Sequence, residues 1–568
     1  MAVEVRYPPA PSELKLHLGF FSTEDRDGPS NDNDDRKRNQ LVHHGQNGHL
    51  QPHHRDGETT PSARPQAHHL AHRIREIKDY QLTHGKLLKV LPLDFPTRCH
   101  SINLGVSASP TPFPQHLFTQ ALHLQELMNE LYMRVASDSD WLGTVLGPLL
   151  EHDDMLRTLW DINCKVREAK GGSEVSCGIF RSDYMLQQPE AGQEVSLKQV
   201  EMNTFSCAGA CHAEKVPLVE AVLPSLPPLP INTASITHTL TAAYKAYQPH
   251  NIPSRKPCIL IPIQPHNFNV ADELPFVHAL WNVGLPTYRC EWQDLLSLTT
   301  LTPELNLLYH PPNSTGTGRE VAIIFYRAGY DAAEYASKAG KATRLRLEMS
   351  RAIKCPDVRG HLAGMKAVQQ ALAQPRMLEL FLQDSEDIAK LRATFMSMQP
   401  LSTPSATALQ ITQAPQEAEH YVLKANREGG GHNIYGAEIP AFLASLPSKQ
   451  EWSRYILMRL IEPPKDINGL LLLDEEVYEG PVVSELGVLG GAVWRSCQEG
   501  RGVEVLENEG LGWTFKSKPW DVKGMNVVRG LQLPSAQEQE GLEQEPQPPF
   551  MSFCRNISLW SLEDDRMS

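Results

Sequence analysis

Lys424-Ala425-Asn426-Arg427-Glu428-Gly429-Gly430-Gly431-His432-Asn433-Ile434-Tyr435-Gly436 follows directly on the apolar run Tyr421-Val422-Leu423. Such a run reads as a short strand, which puts Lys424 at a strand end. A lysine there meets phosphate oxygens as a compact charge. Three successive glycines let backbone N–H groups approach phosphates without side-chain obstruction, and Glu428 beside them offers a hard oxygen to Mg²⁺. The segment lacks the Gly-Lys-Ser/Thr ending of a P-loop and the glycine spacing of a Rossmann turn, so both folds are disfavoured. Taken alone, the residues also fit a flexible glycine-rich hairpin turn.

A second segment, Val200-Glu201-Met202-Asn203, closes an alternating run from Leu197. Glu201 and Asn203, two apart on a strand, project to one face, and a carboxylate with an amide oxygen suits Mg²⁺ that bridges phosphates. An exposed strand face is the plainer reading of that pair by itself.

Outward from these segments the chain alternates. Helical periodicity runs from near Ile74, through Gln115–Val135 with Leu117, Ala121, Leu122, Leu124, Leu127, Met128 and Leu131 at three- and four-residue intervals, and through Pro148–Ala169. Strands are expected at Cys177–Phe180, Leu197–Asn203, Lys256–Ile263, Thr287–Cys290 and Val321–Tyr326. Helix-like Asp272–Val283 among the last three makes an α/β unit. A helical stretch Ala332–Ile353 follows, then strands at Tyr421–Lys424, Tyr455–Leu460, Pro481–Leu486 and Gly491–Arg495.

The 568 residues carry a net charge of −14, which disfavours a general nucleic-acid or anionic-membrane binder. Neither a signal peptide nor a long apolar span is visible, so the expected location is cytoplasmic. Ten cysteines without a CxxC pair argue for reduced thiols rather than a zinc or redox motif. Ser22 to about Arg73 is polar and His-rich and reads as a disordered tail. Its His pairs offer metal ligands without a fixed framework. Ser535–Pro549, rich in Gln, Glu and Pro, reads as disordered too.

Arg181-Ser182-Asp183-Tyr184-Met185, Val200–Thr204, Ala352–Asp357, Leu362–Gly364, Val368–Gln370, Lys424–Gly436, Tyr455–Met458, Ile461–Pro463 and Ser484–Gly487 together resemble eukaryotic glutathione synthetase, segment by segment and in order, over roughly residues 110–530. The resemblance implies a mixed α+β and α/β fold of ATP-grasp architecture with an inserted α/β substrate-binding module. The implied divisions are an extension at 1–75, the first part of the ATP-binding body at 76–255, the module at 256–362, the ATP-grasp body and lid at 363–530, and an acidic tail at 531–568. A homodimer is implied as well.

It further implies ATP and Mg²⁺, with Glu201, Asn203 and Glu428 holding the metal. Lys354, Lys424, Gly429, Gly430, Gly431, Asn433, Tyr435, Met458, Ile461, Glu485 and Lys518 would surround the nucleotide. Arg181, Lys424 and Lys518 would act on the reacting groups. Arg181, Phe205, Ser206, Asn267, Asn269, Glu273, Arg327, Tyr330, Lys516, Val527 and Val528 would contact γ-glutamylcysteine and the acceptor amino acid. The implied reaction activates the dipeptide carboxylate as an acyl phosphate, which the glycine amine attacks.

The sequence departs from the family on the substrate side. Ala208 replaces a serine, Arg327-Ala328-Gly329-Tyr330 an Arg-Asp-Gly-Tyr, Lys516-Ser517-Lys518 an Arg-x-Lys, and Met525–Gly530 a small flexible lid. Three readings therefore stay open: a glutathione synthetase, a ligase for another acceptor, and a catalytically weak ATP-binding regulatory paralogue.

Overall fold

The computed structural model describes residues 63–90, 100–188, 194–215, 229–247, 256–265, 267, 269–312, 314, 316, 318–426, 433–473, 476–497, 502–523 and 562–563, all within the unit Pro61–Ser568. Glu428, the three glycines Gly429, Gly430 and Gly431, the lid residues Val527 and Val528, the expected N-terminal tail as far as residue 62, and Ser535–Pro549 lie outside the described residues; Ala63–Arg73, expected to belong to that tail, is helical.

An antiparallel sheet carries the long strands Val175–Gln187, Ser196–Asn203, Glu476–Ser496 and Val503–Pro519, with Asn468–Leu473 and Val106–Ser107 beside them. Its register sets Arg181 opposite Asn203, Asp183 opposite Glu201 and Gly487, Glu485 opposite Lys516, and Val483 opposite Lys518. Because side chains alternate across a strand, Phe180, Met202, Leu486 and Phe515 turn to the other face and are buried there.

A smaller antiparallel sheet has the order Met398–Pro400, Tyr455–Arg459, Tyr421–Ala425, Ile434–Tyr435. One face packs Leu423 and Leu457 with Ile411, Ile439 and Leu443 from flanking helices; the other gathers Val422, Ile456, Met458, Met396 and Met398. Lys424, paired with Ile456, shares the second face by strand alternation.

The expected α/β unit is a parallel sheet in which Thr287–Glu291, Cys258–Ile263, Arg319–Phe325 and Ile353–Cys355 lie side by side, extended antiparallel by Leu307–Tyr309 and Thr299–Leu301. The helix Val270–Asn282 connects its first two strands. This unit does not own its core: Ile259, Ile261, Ile323 and Phe325 cluster with Val175, Cys177, Ile179, Leu489 and Val493 of the long-stranded sheet.

Several boundaries differ from the sequence reading. The first helix, Ala63–Thr83, starts well ahead of Ile74; Ile74 and Ile77 are the residues it contributes to the apolar cluster with Val106, Ala108 and Leu472 among the described residues, which is the part that periodicity marks. Within Pro148–Ala169 the helix begins at Asp154, where the Asp153 carboxylate accepts from Leu156 N at 3.0 Å. Ala332–Ile353 divides into a 3₁₀ turn, Ala332–Tyr335, a Ser337-capped helix, Lys338–Met349, and the start of a buried strand at Ile353. The two strands expected around Gly487 to Gly491 are one, Glu476–Ser496. Its glycines admit close neighbours rather than ending the strand: a Cβ at Gly490 would lie 2.0 Å from Asn129 Oδ1.

Candidate active site

Arg181 and Asp183, alternate residues of one strand, form a two-pronged ion pair: Nε donates to Oδ1 at 2.7 Å and Nη2 to Oδ2 at 2.8 Å. The remaining terminal nitrogen, Nη1, donates to Ala208 O at 2.9 Å. From the neighbouring strand, Asn203 Nδ2 donates to Asp183 Oδ2 at 3.1 Å and to Arg181 O at 3.3 Å. With its N–H groups so engaged, the amide presents oxygen for a cation.

Glu201 meets the Lys366 ammonium at 3.3 Å. Burial opposes its ionisation, but Lys366, Lys424, Arg181 and Lys516 outweigh that and hold the carboxyl at about 2. Lys424 reaches across from the small sheet and donates to Val200 O at 2.8 Å. Burial pulls its ammonium down to about 8, against the pull of Glu201. Lys516 donates to Glu485 Oε1 at 2.5 Å and lies 3.7 Å from Asp183 Oδ2. Burial raises the Glu485 carboxyl despite Lys516. Lys518 donates to Val522 O and is lowered to about 8 by burial. Tyr435 accepts from Asn433 Nδ2 at 3.3 Å, and its phenol, raised chiefly by burial, feels both Glu485 and Glu201.

These side chains form one group between the two antiparallel sheets. The donors suit a metal nucleotide. Glu201 and the Asn203 oxygen are hard ligands, while Arg181, Lys366, Lys424, Lys516 and Lys518 outnumber the carboxylates Asp183, Glu201 and Glu485 and so favour phosphate. Val422, Ile456 and Met458, with Tyr435 and Ile461 packed against them, supply an apolar surface for a flat base.

The substrate-side residues gather around the turn after Asn203. Arg327 Nη1 donates to Cys207 O at 2.6 Å, so Arg327 and Arg181 hold successive carbonyls of that turn. Ser206 there has φ 51° and Gly209 φ 93°, both left-handed. Asp272 accepts from Gly209 N at 2.7 Å and Cys211 N at 3.0 Å, fixing the turn from below. Glu273 accepts from Asn267 and, at 3.1 Å, from Arg289, and its other oxygen is 3.6 Å from Arg327 Nε. Asn269 N donates to Asn267 Oδ1 at 2.8 Å. Phe205 lies tilted against His361, ring centroids 4.1 Å apart, and meets Tyr330 edge-on at 6.5 Å.

Lys354 is the expected nucleotide residue that the structure sets apart. Its ammonium donates to Glu348 O at 3.2 Å and Ser350 O at 2.8 Å, and its charged neighbours are Glu348, Asp357, Arg359 and Arg344 rather than the Glu201 group. Sequence reasoning passed over Asp183 and Lys366. The first carried the same two-residue spacing that marked Glu201 and Asn203; the second is the lone cation of an apolar stretch, Leu362–Leu372. Among the described residues, no helix is long and apolar enough to cross a membrane.

The family described as eukaryotic glutathione synthase, ATP binding domain, matches residues 67–534. The glutathione synthetase large chain of Schizosaccharomyces pombe is 31% identical over 80% of this chain and 94% of its own length. Human glutathione synthetase is 31% identical over 73% and 87%. A solved structure of a glutathione synthetase-like effector from Globodera pallida, in its apo form, superposes with a TM-score of 0.59 at 21% identity, over 81% of this chain and 96% of that one, a likeness of fold.

Proposed function

Because the chain belongs to the eukaryotic glutathione synthase family, we propose that it is an ATP-dependent amide ligase that joins γ-glutamylcysteine and glycine into glutathione, forming ADP and phosphate. The observation that carries this reading is the charged group between the two sheets, where Glu201, Asn203, Lys424, Lys366 and Arg181 converge from separate elements.

A carboxylate oxygen of the dipeptide attacks the terminal phosphorus of ATP, and ADP departs. The glycine amine then attacks the acyl carbon, phosphate departs, and the nitrogen gives up a proton. The chemistry needs charge placed in advance rather than a covalent nucleophile. Lys424 and Lys518 hold phosphate oxygens. Arg181, fixed on Asp183 and Ala208, offers its spare N–H groups to the reacting carboxylate. Glu201, Asn203 and Glu428 would hold Mg²⁺, which would supply charge neutralisation at the transferring phosphoryl group. Val422, Ile456, Met458 and Ile461 take the adenine. Phe205, Ser206, Asn267, Asn269, Glu273, Arg327 and Tyr330 take the dipeptide, with Lys516, Val527 and Val528 toward the acceptor.

The cytosol and a homodimeric assembly complete this reading. The described cysteines are free thiols, which suits a reducing compartment. ADP release by the purified protein with Mg-ATP and γ-glutamylcysteine, across a panel of amino acids and with the product weighed by mass spectrometry, tests it. Stimulation by glycine with formation of glutathione is expected. Nucleotide binding without stimulation by any amino acid defeats the ligase reading.

A further inference from the structure

Asp183 is buried, and its two oxygens serve residues of three strands. Oδ1 accepts from Arg181 Nε at 2.7 Å; Oδ2 accepts from Arg181 Nη2 at 2.8 Å and from Asn203 Nδ2 at 3.1 Å, and lies 3.7 Å from the Lys516 ammonium. On the facing strand Gly487 leaves the room this requires. A Cβ there would stand 2.7 Å from Asp183 Oδ1, 3.0 Å from Arg181 Cδ and 2.5 Å from Thr514 Oγ1.

Two consequences follow from the donor inventory. A guanidinium has five N–H groups. With Nε, one on Nη2 and one on Nη1 committed to Asp183 and Ala208, one N–H on each terminal nitrogen is left for a substrate oxygen. The Asn203 amide is fixed by the same carboxylate. Flipping it would turn its oxygen toward Asp183 Oδ2 and Arg181 O, two acceptors, so the nitrogen stays on that side and the oxygen on the other.

We propose that Asp183 is a positioning residue of the ligase, orienting the Arg181 fork for the reacting carboxylate and turning the Asn203 oxygen toward the metal. The proposal rests on the ligase reading. It assigns one buried carboxylate to both halves of the site, so its loss harms dipeptide and metal binding together.

The test compares wild type, Asp183→Asn, Arg181→Met and the double variant. Calorimetry reads γ-glutamylcysteine binding in the presence of Mg-ADP, electron paramagnetic resonance reads Mn²⁺ binding in the presence of ADP, and circular dichroism checks the fold. Asp183→Asn is expected to weaken the dipeptide about tenfold or more, the scale of a lost charge-assisted hydrogen bond, and to weaken Mn²⁺ as well. In the Arg181→Met background the same change should alter dipeptide binding less than about twofold, because a residue acting through another adds little once that other is gone. Wild-type binding of both ligands by Asp183→Asn overturns the proposal, and so does an equal loss in both backgrounds, the mark of a merely structural role. Should Asp183→Asn fail to fold, Gly487→Ala displaces the pair with the carboxylate intact, and normal binding of both ligands by that variant overturns the proposal equally. Absence of glutathione synthesis by wild type is a separate failure, that of the ligase reading itself.

Discussion

Lys424 stands where the small sheet meets the long-stranded one, its ammonium on Val200 O and its pKa lowered to about 8 by burial. Removing it takes one preorganised cation from the phosphates, so Lys424→Ala should cut ADP release by roughly 10²- to 10³-fold, read as kcat with the fold checked by circular dichroism. The lowered value also sets a pH dependence. As pH rises through about 8 the folded lysine loses its proton while the unfolded one keeps it to the usual lysine value. The unfolded state then binds more protons, so this group makes the ligand-free protein more stable as pH rises across that window. Nucleotide affinity goes the opposite way, because the lost charge is the one that meets phosphate. Nucleotide Kd measured from pH 7 to 9.5 should rise in wild type and rise less in Lys424→Arg, whose guanidinium stays charged; Lys518, also lowered to about 8, sustains part of the remaining slope. Equal slopes in the two proteins would remove Lys424 from phosphate binding. Glu201 is the counter-charge of this group. At pH 7 Glu201→Gln should lower apo stability by roughly 2 kcal/mol in urea, since it removes the carboxylate that Lys366 meets at 3.3 Å and that is the strongest anionic influence on buried Lys424.

Among the elements, the turn Thr204–Gly209 and the short helix Ala210–Glu214 depend on a group from elsewhere, Asp272, which accepts from Gly209 N, Cys211 N and His212 N and pairs with Arg327 at 3.4 Å. Asp272→Asn should cost about 3 kcal/mol by denaturant unfolding and raise KM for the dipeptide more than KM for ATP, because the turn carries Phe205 and Ser206. Equal changes in both KM values would point to a general loss of structure. The same element shows what the sequence could convey. Alternation found the strand ending at Asn203, but nothing local reveals that a carboxylate some sixty positions on caps the turn that follows it. Periodicity likewise located the Gln115–Ser137 helix by its buried face. It missed the continuity of Glu476–Ser496, because the gap between the expected strands Pro481–Leu486 and Gly491–Arg495 holds Gly487 and Gly490, which leave room for Thr514 and Asn129 rather than end the strand. At the site, strand spacing exposed Glu201 and Asn203, and the resemblance supplied most of the rest. Asp183 and Lys366 went unnoticed because their roles lie in partners from other strands and helices. Lys354 shows the converse: a residue legible from the resemblance that the fold ties to the Glu348 and Ser350 carbonyls.

For the described molecule as a whole, independence follows where apolar side chains go. Ile323 and Phe325 of the α/β unit share a cluster with Ile179 and Val493 of the long-stranded sheet. The small sheet is the element with a local core, in which Leu423 and Leu457 pack with Leu401, Ile411, Ile439, Leu443 and Trp452, all between 398 and 457. Its polar ties to the rest include Lys424 to Val200 O and Ala367 N to Asn426 Oδ1 at 2.8 Å. A unit held by its own core opens at lower free energy than one whose core is shared, and a ligand bound across the gap closes it. Ile323→Ala should therefore destabilise the α/β unit and the long-stranded sheet together, by about 2–5 kcal/mol in one cooperative transition. Leu457→Ala should act locally. Amides of Tyr421–Ala425 and Tyr455–Arg459 would exchange hydrogen faster while those of Val175–Gln187 keep wild-type protection, and Mg-ADP would restore most of the difference. The comparison of the two variants decides the matter. If Leu457→Ala lowers protection in Val175–Gln187 as much as in the small sheet, the sheets unfold as one, and closure of the small sheet over the nucleotide cannot be what assembles the site.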